Sequence, residues 1–200
     1  MITRRSLTLL TLLAPLVLQA ADAPATPETP AAGSAATALN ARNLYRVEVI
    51  IFRQSQAPGG SEDFTAQPEG RGFGDKRDVG SGPPTVVRPL EDNELQMSAL
   101  AQTMRKSGSV QVLVHKGWLQ TATAWGRHVG LPLTDLGIEV PNLRGTLYLE
   151  RGDLLHFGAW LQLGNAPVYT LSELRKVRLN ERHYLDHPAF GVVVQVTQSR

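Results

Sequence analysis

The 200-residue chain carries 20 Lys and Arg against 18 Asp and Glu, a formal net charge of +2, too small to point to nucleic acid by charge alone. It has no cysteine, which excludes disulfides, thiolate zinc sites and cysteine nucleophiles. No apolar run reaches the roughly 20 residues that a membrane span takes, so no stable span is expected.

The first 21 residues read as a secretory signal. Arg4 and Arg5 precede a twelve-residue apolar run, Leu7 to Leu18, and the small residues Ala20, Ala21 and Ala23 follow. The style is bacterial, and the expected compartment is the periplasm. Residues 22–43 are Ala, Pro, Thr and Ser with nothing to form a core, and their prolines favour an extended tether. Residues 44–200 then make one domain long enough to bury a core.

Within that domain the segment from Leu44 to Arg53 alternates, with Tyr45, Val47, Val49 and Ile51 on one face, and predicts a strand. Residues 55–89 are rich in Gly and Pro with few apolar anchors and read as one long flexible loop. Leu90 to Ser107 predicts a helix. Met97, Leu100, Ala101 and Met104 form its stripe, acidic residues stand at its start, Arg105 and Lys106 at its end, and Gly108 stops it.

Four or five strands follow: Val110 to Leu119, then, after a break at 120–142, Leu143 to Arg151, Leu154 to Leu163, Val168 to Asn180, and Phe190 to Thr197. Gly152-Asp153 and Asn165-Ala166-Pro167 mark turns between them. Short turns make the middle strands antiparallel neighbours, while the first strand–helix–strand unit is open to a parallel crossover. The expected class is α+β: a mostly antiparallel five- to six-stranded sheet with one main amphipathic helix packed on one face.

The chemistry-bearing residues gather late in the chain. His183 and His187 are four apart with Glu181 and Asp186 beside them. On a helix that spacing clamps zinc, but Pro188 breaks the segment and a third donor, His115 or His156, would have to come from elsewhere. The structural reading is stronger: Asp186-His187-Pro188 is turn chemistry before the last strand. No serine sits in a nucleophile elbow and no carboxylate pair is singled out by spacing, so no catalytic set, metal or cofactor is assigned.

Arg175, Lys176, Arg178 and Arg182 form a basic cluster with two readings, a charged sheet edge that resists aggregation or a site for an acidic polymer. Trp118, Tyr148 and Trp160 lie in the strands, the last two on polar sides, where aromatics hold sugars or are covered by a second layer. With His183 and Tyr184 these complete the candidate binding residues.

The domain resembles the CsiV family of periplasmic peptidoglycan-binding proteins. YRVEVIIFRQ (45–54) is similar to the family's opening strand and VLVHKGWLQ (112–120) to its second. LRGTLYLERGDLLHFGAWLQL (143–163) is similar to its central hairpin, and RKVRLNERHYLDHPAFGVVVQVT (175–197) carries its basic strand and Leu-Asp-His-Pro signature. The Gly-rich 55–89 region and the Ala/Pro tether depart from the pattern. The resemblance implies a non-enzymatic protein that binds peptidoglycan and supports wall synthesis and cell shape, with a penicillin-binding protein or its activator as a further partner. The alternatives are an envelope adaptor without direct wall binding, a cell-wall hydrolase, and a zinc-dependent protein.

Overall fold

The computed structural model describes residues 44–55 and 85–199. The expected signal, the tether and most of the 55–89 stretch lie outside the described residues.

The opening alternation forms β1 (Leu44–Gln54), at the centre of a five-stranded antiparallel sheet with the order β2-β3-β1-β10-β9. Its other members are β2 (Val86–Pro89), β3 (Val110–Thr121), β9 (Arg182–His187) and β10 (Phe190–Gln198). A second five-stranded sheet holds β4 (Thr123–Ala124), β5 (Leu131–Pro132), β6 (Leu143–Arg151), β7 (Leu155–Leu163) and β8 (Tyr169–Val177). We call them sheets A and B. Among the described strands only β4 and β6 run parallel.

The inner faces of the two sheets share one core. Tyr45, Val47, Val49, Ile51, Val192 and Val194 of sheet A join Leu147, Leu149, Phe157, Leu161 and Leu171 of sheet B in a single buried cluster. The α+β class therefore holds, but the strands divide between two layers instead of filling one sheet. Period-two alternation says which side of a strand is buried; it does not say which sheet buries it.

The helix α1 (Ser98–Ser107) covers the outer face of sheet A. Met97 and Ala101 are fully buried against Ile50, with Leu100 and Met104 packed around them, as the stripe requires. Gly108 ends the helix with a φ of 69°, a left-handed cap that glycine takes without strain. The helix begins later than its charge pattern implies. Leu90 to Leu95 is occupied by a short 3-10 turn, Asp92–Glu94, whose Glu94 carboxylate takes a bidentate pair of hydrogen bonds from Arg88 at 2.6 and 2.7 Å. That guanidinium holds the Glu94 carboxyl down at about 2.

Three further expectations are corrected. The last residues of the 55–89 stretch are the edge strand β2, which pairs with β3. The first strand–helix–strand unit is not a parallel crossover, because β3 lies antiparallel to β1 and no chain need cross the sheet. Asp186 and His187 belong to strand β9, and the turn into β10 is confined to Pro188 and Ala189. The break at 120–142 holds β4, β5 and a 3-10 turn, Leu133–Leu136.

Candidate functional site

Strand register lays the outer face of sheet B out in rows across β6, β7 and β8. Arg144, Gln162 and Thr170 form one row, Thr146, Trp160 and Ser172 the next, then Tyr148, Gly158 and Leu174, and last Glu150, His156 and Lys176. Arg144 Nε donates to Gln162 Oε1 at 2.7 Å, and Gln162 Nε2 donates to Thr170 Oγ1 at 3.4 Å, so the first row is a polar chain running across the strands. Trp160 is half-buried between two hydroxyl residues, and Lys176 is exposed. Aromatic area, hydroxyls and cations on one face form a surface suited to an anionic sugar.

A segment joining β4 to β5 covers one end of this face, and a buried carboxylate holds it there. Glu150 is 0% exposed. It accepts hydrogen bonds from the backbone N–H of Gly126 at 3.0 Å and of His128 at 2.5 Å, and His128 Nδ1 lies 3.2 Å away. Trp125 N–H donates to the Arg151 carbonyl at 3.1 Å. Further along, Gly130 presses on the sheet so closely that a Cβ there would come within 2.5 Å of Thr146 and 2.7 Å of Tyr148.

Sheet A carries a matching device. Glu48 is buried on its outer face and accepts the N–H of Gln96 at 2.7 Å and of Met97 at 2.8 Å, the amides just ahead of α1. His115 Nε2 lies 2.8 Å from the same carboxylate. Burial alone would raise the Glu48 pKa; the hydrogen bonds from His115, Met97 and Gln96 outweigh it and hold the carboxyl below its ordinary range. The negative charge also sits at the positive end of the helix dipole. Since Glu48 and Glu150 occupy opposite outer faces of the sandwich, they cannot work as a facing pair in the manner of a glycosidase.

The structure separates the candidate residues. Trp118 is in the core, 3% exposed, with Nε1–H donating to Gln120 Oε1 at 2.6 Å. Tyr148 is 3% exposed beneath the Gly130 segment. Neither is available for contact with a polymer, because the second sheet covers the one and the β4–β5 connection covers the other. Trp160 and Lys176 share the outer face of sheet B.

Arg175 points to the opposite side of β8 from Lys176. It pairs with Glu173 at 2.8 Å and donates from Nη1 to the Tyr184 carbonyl at 2.7 Å, stitching the edge of sheet B to the edge of sheet A. Arg178 is exposed near Glu181, at 3.7 Å. Arg182 and Tyr184 lie on the outward side of β9, where Tyr184 stacks on Phe52 at 5.9 Å and its hydroxyl donates to Asp186 at 2.6 Å. Burial, then that hydrogen bond, raises the phenol's pKa well above the usual value.

The two histidines are held as structural groups. His183 Nε2 accepts the Arg178 N–H at 2.9 Å, and His187 Nδ1 accepts the Ala189 N–H at 3.0 Å. On a strand, residues four apart stand about 13 Å from each other, far beyond a shared metal. Among the described residues no three His, Asp or Glu are grouped as a metal site needs. No helix of the described residues is long and apolar enough to cross a membrane.

The chain matches the family described as "Peptidoglycan-binding protein, CsiV" over residues 29–166 and 149–199. It belongs to that family. No curated protein and no solved structure matches it.

Proposed function

We propose that the protein is a non-enzymatic peptidoglycan-binding protein of the periplasm, carried there by residues 1–21, held on the 22–43 tether, and supporting wall synthesis and cell shape by assisting a penicillin-binding protein. Membership of a family described by peptidoglycan binding carries the reading. The outer face of sheet B supplies a surface of the right chemistry. Trp160 offers a ring face for a sugar, Ser172 and Thr146 offer hydroxyls beside it, and Lys176 and Arg144 offer cations for the carboxylates of stem peptides. Arg175 is occupied by Glu173 and takes no part. The two buried carboxylates are spent on backbone amides, which favours binding over bond cleavage.

The test is co-sedimentation of residues 24–200 with isolated sacculi at low and moderate salt, with the supernatant assayed for released muropeptides. The expected result is pelleting that salt weakens, with no release. Release of fragments would make the protein a hydrolase; a protein left wholly in the supernatant would make it an adaptor.

A further inference from the structure

Trp125 is 49% exposed, the most open large hydrophobic side chain among the described residues. Its exposure is built. The ring lies on His156 with centroids 3.8 Å apart and planes 31° from parallel, and a Cβ at Gly152 would come within 3.1 Å of the Trp125 Cβ and 3.6 Å of its Cγ, so the absence of a side chain there leaves room for the indole. On either side the backbone is pinned, by the Arg151 carbonyl at residue 125 and by the Glu150 carboxylate at residues 126 and 128.

His156 is held by stacking: its Nδ1 is shielded from solvent and has no hydrogen-bond partner among the described residues. Directly across from His156 in register stands Lys176, one strand spacing away, about 4.8 Å. Lys176 is exposed and makes no ion pair among the described residues, whereas Arg88, Arg175 and Arg178 each face a glutamate. A rigid aromatic plate with an open side and an unneutralised cation beside it have the two halves of a receptor for an acidic sugar. The plate stacks on a pyranose ring, and the ammonium pairs with a carboxylate.

We propose that Trp125, His156 and Lys176 form a saccharide–carboxylate subsite at the hairpin end of sheet B, taking one sugar ring of the glycan on Trp125 and a stem-peptide carboxylate on Lys176. The inference rests on the peptidoglycan-binding reading and deepens it. Trp160 lies four residues along β7 from His156, about 13 Å away on the same face, so the subsite extends the surface around Trp160 along the strand.

The test uses the mature chain and three variants, W125A, K176E and K106E, the last a charge reversal on the exposed side of α1, remote from this face. Each is pelleted with sacculi over a concentration series and titrated with a purified disaccharide–tetrapeptide muropeptide, with thermal unfolding as the check on folding. Trp125 is half open to water on a connecting segment, so its truncation leaves the core intact. The expected result is a fivefold or greater weakening for W125A and for K176E, the latter losing most of its salt dependence, with K106E unchanged. Wild-type pelleting together with W125A and K176E variants that bind as tightly as wild type would overturn the subsite and leave the wall-binding reading in place. A wild-type chain that neither pellets nor binds the muropeptide would overturn both.

Discussion

Glu48 and Glu150 show how much a single side chain decides in this protein. Each is a carboxylate on the solvent-side face of a strand, yet each is fully covered, because the segment it binds lies over it. For Glu48 the consequence is a pH dependence with a definite sign. Its folded-state pKa is depressed, so the stability it contributes is present above the unfolded value of about 4.3 and is lost as pH falls through the folded value. Glu48→Gln removes that dependence and sets an amide N–H₂ against one of two backbone donors. The expected outcome is a loss of about 1–3 kcal/mol at neutral pH that shrinks as the pH drops below 4. Urea unfolding of both forms from pH 3 to pH 7 reads it; curves that stay parallel throughout would contradict this account.

Among the elements, the strands were legible in the sequence and their coverings were not. β1, β6, β7 and β10 fall within a residue or two of the runs that alternation marks, and the α1 stripe of Met97, Leu100, Ala101 and Met104 packs as its spacing requires. Hidden from local pattern were the start of α1, the strand β9 and the β4–β5 connection. The start of α1 depends on Glu48, forty-eight and forty-nine positions before the amides it accepts. β9 carries Arg182, Tyr184 and Asp186 on its open side and His183, Leu185 and His187 on the other, a pattern too polar to announce a strand and one that Pro188 made look like a turn. The β4–β5 connection takes its shape from Glu150, more than twenty residues later. Glu150→Ala is therefore expected to cost about 3 kcal/mol, since two buried amides lose their acceptor. It should also loosen Trp125 from His156. A red-shifted, more easily quenched Trp125 emission in a chain with Trp118 and Trp160 replaced by Phe would register that release, and an unchanged spectrum would argue against the tether.

Over the whole molecule, the division into two sheets matters more than any strand. Because the inner faces of sheets A and B contribute to one large cluster and Arg175 joins their edges, sheet B has no core apart from it, and sheet A would keep only the small cluster of Ile50, Met97 and Ala101 under α1 once the other opens. Unfolding of the domain is expected to be a single cooperative transition. Trp118 reports on sheet A and Trp160 on sheet B, so two single-tryptophan variants followed by fluorescence in urea should share one midpoint. Midpoints that separate would mean two independent layers. The candidate site was legible only in part for the same reason. The sequence identifies Trp160 and Lys176 as an aromatic and a cation on strands and puts Trp118 on the apolar side of its own, but alternation alone could not place Tyr148 under cover or leave Trp125 uncovered. Exposure there depends on what lies over each sheet, and that is set by residues far along the chain.

The grip of Glu150 on main-chain amides has a use beyond stability. A carboxylate that binds N–H groups is indifferent to the side chains those residues carry, apart from the positive φ at Gly126 and His128, 80° and 51°. Position 125, whose side chain is half open to water, can thus be rewritten while the backbone keeps its path, which makes this short crossing a natural cassette. Exchanging the side chain at position 125 would retune what the protein holds without refolding the frame that presents it.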